Sequence, residues 1–158
     1  MRTKALSFLL PFIGALVLDQ ATKWWASRTL IHRSITVVEG LFELRLAFNI
    51  GSAFGLVLLN PLWLGVLTVA VSLFFLGLIP RVPQAGISYY AGTGLFLGGA
   101  WGNLLDRFRW GHVIDFLNPS FWPTFNVADV VIIAGLVLVF LNFWRLETTC
   151  EQRKDTGV

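Results

Sequence analysis

The sequence predicts a small, mainly α-helical membrane protein, and two observations support this prediction. Of its 158 residues, 56% are hydrophobic and only 13% are charged, whereas about a quarter of the residues of soluble domains are charged. The apolar residues also gather in stretches of about 20 residues, the length that crosses the hydrocarbon core of a bilayer. The length of the chain indicates one compact unit, and its high hydrophobicity excludes intrinsic disorder.

Four stretches are predicted to be transmembrane helices. They cover residues 5–25, 60–80, 87–105 and 127–145. The first also resembles a secretory signal peptide, because Arg2 and Lys4 precede an apolar run. It lacks a small-x-small cleavage site and three further spans follow it, so we expect it to be retained as the first helix.

Charge alone does not decide the orientation of these four spans. An even number of spans places both termini on one side, and the positive-inside rule assigns segments rich in Lys and Arg to the cytoplasm. Of the twelve Lys and Arg residues, six fall on the side of the termini and six on the other. The basic residues at both ends of the chain favour cytoplasmic termini.

Two polar segments lie between the spans, on the same side of the membrane. Residues 33–54 contain the alternating stretch 42–46, which is typical of a strand with one wet face, and Gly40 indicates a hairpin. Residues 108–125 carry aromatic side chains that suit the headgroup zone; these are Trp110, Phe116, Phe121 and Trp122. We therefore expect a small β-sheet in the first segment and the functional site on this side.

Charge and cysteine content exclude several classes of function. The net charge of +3 comes from basic residues that are scattered singly, so no nucleic-acid partner is expected. The single cysteine, Cys150, excludes an internal disulfide and any multi-cysteine metal site. His32 and His112 fall in no metal-ligand spacing, so we expect no metal site.

Four aspartates lie at or near membrane depth, where an unpaired ionisable group costs several kcal/mol. They are Asp19, Asp106, Asp115 and Asp129. Each could simply mark the end of a span. Asp19 precedes Lys23 by four residues, the order that favours an ion pair on one helix face, so we expect a structural pair. Asp106 is expected at a helix C-terminus, ionised and salt-bridged, with Arg107 and Arg109 nearby.

Asp115 and Asp129 differ from the other two because their sequence neighbours are apolar and none is basic. One interpretation of Asp129 is structural, as a negative charge in the first turn of a helix that Asn126 caps. Two carboxylates in one apolar site have a further use, because their pKa values separate and one holds a proton while the other acts as a base. Such a pair can activate water against a peptide carbonyl, so these two are the candidate catalytic residues.

Small polar groups gather around these acids. Asn49 and Gly51 belong to a turn that leads to the second span, and Asn103 follows the small-residue run 98–102. A small-residue face is typical of close helix packing in membranes. The Asn103 amide could equally bind a substrate backbone or a carboxylate.

Four short motifs, taken together, resemble those of the lipoprotein signal peptidase (signal peptidase II) family. They are Asp19-Gln20-x-x-Lys23, Asn49-x-Gly51-x-Ala53-Phe54, Gly102-Asn103-x-x-Asp106-Arg107-x-x-x-Gly111-x-Val113-x-Asp115-Phe116 and Phe125-Asn126-x-Ala128-Asp129. Each motif is weak by itself, whereas their order on a four-span chain of this length is very specific. The resemblance covers nearly the whole chain.

The resemblance implies an aspartic endopeptidase of the bacterial inner membrane that needs no metal or cofactor. Its partners would be membrane lipid and a diacylglyceryl-modified prolipoprotein, which it would cut just before the lipidated cysteine. The family fold has four transmembrane helices, a small extracytoplasmic sheet, matched by residues 33–54, and a short interfacial helix or loop, matched by residues 108–125. It also implies cytoplasmic termini, and nothing in the sequence demands more than a monomer.

The resemblance also implies roles for individual residues. It carries the catalytic pair to Asp115 and Asp129, the pair that the local chemistry selects. It implies substrate-binding roles for Asn49, Asn103, Arg107 and Asn126, and supporting roles for Asp19, Lys23, Gly51 and Asp106.

Two other functions stay open from the residues alone. A small transporter or channel would use the intramembrane acids as ion ligands and would show ion flux in liposomes. Against it, the predicted spans show no broken helix and no inverted repeat. A membrane assembly factor would use the glycine-rich third span as an interaction face and would tolerate Asp→Asn changes at positions 115 and 129.

Overall fold

The computed structural model of the protein describes residues 2–50, 61–78 and 86–155. These residues form four helices, α1 (Arg2–Thr29), α2 (Pro61–Leu78), α3 (Ile87–Trp110) and α4 (Val127–Asp155). They also form three strands, β1 (Ile35–Val38), β2 (Phe42–Asn49) and β3 (Val113–Pro119). A mainly helical fold with a small sheet is therefore confirmed, whereas Gly51 and the rest of the predicted turn at 51–54 lie outside the described residues.

Within the described residues, two helices are long and apolar enough to cross a membrane by length and composition. They are α1, over Thr3–Thr29, and α4, over Val127–Arg145, and α2 adds a shorter apolar stretch, Leu62–Leu78. α1 and α3 continue beyond the ends that the sequence predicts, to Thr29 and Trp110. α3 is the central helix and packs against α1 on one side and α4 on the other.

Glycines allow α3 to approach both neighbours closely. A Cβ atom at Gly98 would lie 2.5 Å from the backbone oxygen of Phe12 in α1. A Cβ atom at Gly99 would lie 2.6 Å from the backbone oxygen of Ala128 in α4. Real Cβ atoms do not approach other atoms this closely, so the predicted small-residue face is a helix-packing face.

The three strands form one antiparallel sheet in the order β1-β2-β3. Gly40, at φ +70°, lies in the β1–β2 turn, which confirms the predicted hairpin. β3 corrects the sequence analysis, because residues 108–125 contain a third strand of the sheet where a short interfacial helix or loop was expected. α3 ends at Gly111, at φ +76°, and the apolar residues that follow extend along β2, which would otherwise have an unpaired edge.

A small apolar core joins the sheet to the end of α1. Ala26, Leu30 and Phe116 are its buried members, and side chains from β1 and β2 pack against them. Phe116 was expected in the headgroup zone, but it lies on the β3 face that covers α1 and is buried. The other three aromatic residues of that group, Trp110, Phe121 and Trp122, are exposed. The sheet is therefore fixed to the end of the helix bundle, where β3 packs against α1 and α3.

Candidate active site

The two candidate catalytic aspartates come from different elements and share one hydrogen-bonding partner. Asp115 lies in the middle of β3, and Asp129 lies in the first turn of α4. The Asn126 side-chain amide donates to Asp115 Oδ1 at 2.6 Å, and its backbone N–H donates to Asp129 Oδ2 at 3.1 Å. Asn126 is fully buried, so this one residue ties the two carboxylates together.

Asp129 uses one side-chain oxygen to cap α4 and the other to accept a hydrogen bond from α3. The Asp129 backbone N–H donates to Asn126 Oδ1 at 3.1 Å, and the reverse bond to Asp129 Oδ2 completes a reciprocal N-terminal cap. This confirms the predicted cap. The remaining oxygen, Oδ1, accepts a hydrogen bond of 2.9 Å from the Asn103 amide. Both oxygens of the Asp129 side chain are therefore hydrogen-bonded, at a helix N-terminus.

Asp115 lies in a less polar environment. Its side chain is buried, and each of its oxygens accepts one amide N–H, Oδ2 from Asn49 at 3.0 Å and Oδ1 from Asn126. Burial raises the pKa of Asp115 to about 6, and the charge of Asp129 acts in the same direction, while the two amide donors oppose the shift. Asp115 therefore holds a proton more readily than an ordinary aspartate does.

A cavity of about 320 Å³ lies against both carboxylates. Five residues named by the sequence analysis line it: Asn49, Asn103, Arg107, Asp115 and Asp129. The Arg107 guanidinium donates to the Asn103 backbone oxygen at 3.2 Å. Apolar side chains form much of the remaining wall, among them Val113, Trp122, Phe125, Ile132 and Ile133. A cavity lined largely by apolar side chains with a few polar groups is typical of a ligand-binding site.

The sequence analysis missed two wall residues that a simple spacing argument finds. Ile132 and Ile133 follow Asp129 by three and four residues on α4, so one helical turn brings them to the same face. Trp122 and Thr124 also line the cavity, and no local pattern points to them, because the loop that carries them is placed by its bond to β3.

Behind the cavity lies a buried triad of charges, Asp19, Lys23 and Asp106. Lys23 Nζ lies 2.9 Å from Asp19 Oδ2 and 2.9 Å from Asp106 Oδ2, and all three side chains are at most 2% exposed. The predicted Asp19–Lys23 pair is confirmed. For Asp106 the structure adds a partner that the sequence analysis did not assign, since α3 continues to Trp110 and turns this carboxylate towards α1.

Gln20 is a further residue of this region that the sequence analysis did not assign. Its amide nitrogen lies within hydrogen-bonding distance of both acids of the triad, 3.2 Å from Asp19 Oδ2 and 3.0 Å from Asp106 Oδ1. Its oxygen accepts a bond of 3.1 Å from Arg109. Gly102 is required beside it, because a Cβ atom there would lie 2.4 Å from Asp19 Oδ2.

Within the described part of the chain, no group of three or more His, Cys, Asp or Glu residues is placed to hold a metal ion.

Comparisons with known proteins identify the family of this chain. The family model for signal peptidase II matches residues 12–145. The lipoprotein signal peptidase of Nostoc punctiforme is 36% identical over 158 residues, which cover 98% of this chain and 100% of that protein. That of Symbiobacterium thermophilum is 37% identical over 141 residues, which cover 85% of this chain and 92% of that protein.

A solved bacterial membrane enzyme has the same fold, with a TM-score of 0.75 at 24% identity over 86% of each chain. A second one gives a TM-score of 0.72 at 24% identity, over 84% of this chain and 88% of the other. With the family model and the relatives covering most of the sequence, the chain belongs to the signal peptidase II family, whose members include the lipoprotein signal peptidases.

Proposed function

We propose that this protein is an intramembrane aspartic endopeptidase that removes the signal peptide of diacylglyceryl-modified prolipoproteins by cleaving just before the lipidated cysteine. One observation carries the aspartic mechanism: Asp115 and Asp129, from separate elements, border the same cavity and are bonded to the same asparagine. Membership of the signal peptidase II family supports the removal of signal peptides from lipoproteins.

In the mechanism that we propose, Asp129 is the base and Asp115 carries the proton. Asp129 takes a proton from a water molecule, whose oxygen then attacks the scissile carbonyl carbon. Asp115 donates its proton to the carbonyl oxygen as negative charge develops there. When the intermediate collapses, the carbon–nitrogen bond breaks and the leaving amine takes the proton held by Asp129. A hydroxyl group of the intermediate returns its proton to Asp115 as the carbonyl forms again, which restores the starting state of both carboxylates. The cap at the α4 N-terminus and the burial of Asp115 support this division of roles.

The cavity walls support a peptide substrate that enters from the lipid. Asn49, Asn103 and Arg107 present polar groups to the cavity, and we assign them to the backbone of the substrate. Ile133 also lines the cavity and is 64% exposed on α4, a helix apolar enough to span the bilayer. The site therefore opens on a face of α4 that would meet lipid, which suits a substrate whose diacylglyceryl group stays in the bilayer.

The arrangement of the helices supports a multi-pass topology in the inner membrane with cytoplasmic termini. The catalytic pair lies beside the C-terminal end of α3 and the N-terminal end of α4. The N-terminal end of α1 and the C-terminal end of α4 lie at the other end of the bundle. Site and termini are thus at opposite ends of the bundle. We assign the four predicted spans to α1–α4 and place the active site near the extracytoplasmic face, with a monomer as the functional unit.

A cleavage assay tests this function. The detergent-purified protein is incubated with a diacylglyceryl-modified prolipoprotein and, in parallel, with the same chain lacking the lipid. We expect a product whose mass corresponds to cleavage before the lipidated cysteine, and no product from the unlipidated chain. A folded protein that leaves the lipidated substrate intact would contradict the proposal, and ion flux in proteoliposomes would then favour the transport alternative.

The pH dependence of cleavage should reflect the proton on Asp115. Its pKa is raised from 3.8 to about 6, so the protonated form, which the mechanism needs, predominates below about pH 6 and is lost as the pH rises. We therefore expect kcat/KM, which reports the free enzyme, to fall above about pH 6. The corresponding fall in kcat should begin at a higher pH, because a bound substrate excludes water from the Asp115 carboxyl group and raises its pKa further.

A variant of Asn49 tests whether the proton on Asp115 causes this fall in kcat/KM at alkaline pH. Asn49 donates to Asp115 Oδ2, a bond that favours the charged form. Replacing Asn49 with leucine should therefore move the alkaline limb of kcat/KM to higher pH, whatever it does to the absolute rate. Initial rates measured from roughly pH 4.5 to 8.5 decide the matter, and an unmoved limb would show that it belongs to another group.

A further inference from the structure

The buried triad Asp19, Lys23 and Asp106 does not line the catalytic cavity. Its three charges sum to −1, so the pairing leaves one charge uncompensated within the triad. A buried ion pair is weak evidence for stability, since the cost of removing charges from water can exceed their mutual attraction. A triad in this position therefore requires another explanation, and its hydrogen bonds provide one.

Both carboxylates of the triad hold the backbone immediately before a catalytic aspartate. Asp19 Oδ1 accepts the backbone N–H of Ala128, the residue before Asp129, at 3.0 Å. Asp106 Oδ2 accepts the backbone N–H of Ile114, the residue before Asp115, at 3.2 Å. One acid of the triad thus fixes the start of α4, and the other fixes the start of β3.

Lys23 joins these two contacts and adds a third. An ammonium group has three N–H donors and no acceptor, and Lys23 Nζ lies within 2.9 Å of three oxygens, one each from Asp19, Asp106 and Asn103. Because Asn103 must turn its oxygen towards Lys23, its amide nitrogen faces Asp129 and donates at 2.9 Å. The Asn126 side-chain amide donates to the same Asn103 oxygen at 3.1 Å, so Lys23 and Asn126 together set the orientation of the Asn103 amide.

We propose that the Asp19–Lys23–Asp106 triad positions the two catalytic aspartates, with Lys23 linking the carboxylate that holds Ala128 to the carboxylate that holds Ile114. The triad fixes the separation of Asp115 and Asp129 and the direction of the Asn103 donor. Its members are positioning residues that do not touch the reacting atoms. This inference rests on the proposed function and adds to it the residues that set the geometry of the catalytic aspartates.

The shape of the pH profile distinguishes positioning from simple electrostatics. The charged groups that face the pair are Asp19 and Lys23 from α1 and Asp106 and Arg107 from α3. Lys23→Met removes a positive charge, so electrostatics alone would raise the pKa of both catalytic carboxylates and move both limbs of the pH profile to higher pH. Asp19→Asn removes a negative charge, so electrostatics alone would move both limbs to lower pH. Loss of positioning weakens the coupling between the two catalytic carboxylates and narrows the profile in both variants.

The experiment compares Lys23→Met and Asp19→Asn with the wild type in the cleavage assay. We expect kcat to fall about 100-fold, the order that a misplacement of about 1 Å produces, with KM changed less than about threefold and a narrower pH profile in both. Hydrogen exchange should become faster at the Ile114 and Ala128 amides. This last measurement needs no activity.

A matched control separates positioning from a general loss of stability. Thr93→Val changes a fully buried polar residue on α3 that lies outside the triad. The Thr93 hydroxyl donates to the Tyr89 backbone oxygen. Loss of this hydrogen bond should lower the melting temperature. Thr93 lies ten residues, about 15 Å, from Asn103, so the change should leave the kcat of the folded protein and the pH profile as they are in the wild type. If Lys23→Met alone does not fold, the double variant Lys23→Met/Asp19→Asn keeps the net charge of the triad and is expected to show the same losses.

Two results would overturn the positioning role while leaving the proposed function intact. One is a folded triad variant with wild-type kcat and unchanged exchange at Ile114 and Ala128. The other is a pair of pH profiles that move in opposite directions without narrowing. A wild type that does not cleave the lipidated substrate, or an active Asp115→Asn variant, would instead reject the proposed function itself.

Discussion

Asp115→Asn and Asp129→Asn are each expected to reduce kcat at least about 10³-fold while leaving the protein folded. An amide cannot take a proton from water at position 129 or supply one at position 115, so either change removes a proton-transfer step of the proposed mechanism. The two carboxylates act as a unit, so the double variant should be hardly slower than either single one.

Each variant should fold because an asparagine keeps the size of the aspartate and one of its acceptors. At position 129 the new amide oxygen can still accept the Asn126 backbone N–H, the bond that closes the α4 cap. At position 115 it can still accept one of the two amide donors, from Asn49 or Asn126. Melting curves and circular dichroism of the purified variants check this expectation.

The matched control is Glu43→Gln, another carboxylate-to-amide change in the same sheet. Glu43 lies on β2, accepts a hydrogen bond of 2.9 Å from the Asn118 amide and does not line the catalytic cavity. Its kcat should stay within about twofold of the wild type, because the change affects none of the groups that move protons. Cleavage by Asp115→Asn or Asp129→Asn at the rate of this control would show that another group performs the chemistry.

Much of the site could be predicted from the sequence because its key relations are local. The Asn126 cap depends on a spacing of three residues, and the pairing of Asp19 with Lys23 depends on a spacing of four. Asp115 and Asp129 stood out because apolar neighbours surround them. The helices and the hairpin followed in the same way from hydrophobic runs, alternation and one glycine.

The remaining features depend on contacts between residues far apart in the chain. Asp106 meets Lys23 across 83 positions and Gln20 across 86, so no window of sequence shows either contact. β3 was missed for the same reason. Its residues are apolar and aromatic enough for an interfacial helix. What makes them a strand is the unpaired edge of β2, whose paired residues lie 64 to 77 positions earlier.

Gly135→Ala is expected to destabilise the protein by about 2 kcal/mol or more, the upper part of the range for overpacked interiors. A Cβ atom at Gly135 would lie 2.5 Å from the backbone oxygen of Gly92, and one at Gly92 would lie 2.7 Å from that of Gly135. Because the obstructing atoms belong to the backbone, no side-chain rotation relieves the clash and α3 must move away from α4.

The control for this change is Gly14→Ala on α1, where an added Cβ meets nothing within 4 Å. Alanine favours a helix over glycine by about 1 kcal/mol, so this variant should be unchanged or slightly more stable. Thermal unfolding in detergent compares the two. Equal melting temperatures would show that α3 and α4 are not held at the distance that the glycines allow. Gly135 lies six residues, about 9 Å, from Asp129 on α4, so the displacement of α3 should also disturb the hydrogen bond between Asn103 and Asp129 and lower the kcat of the folded variant.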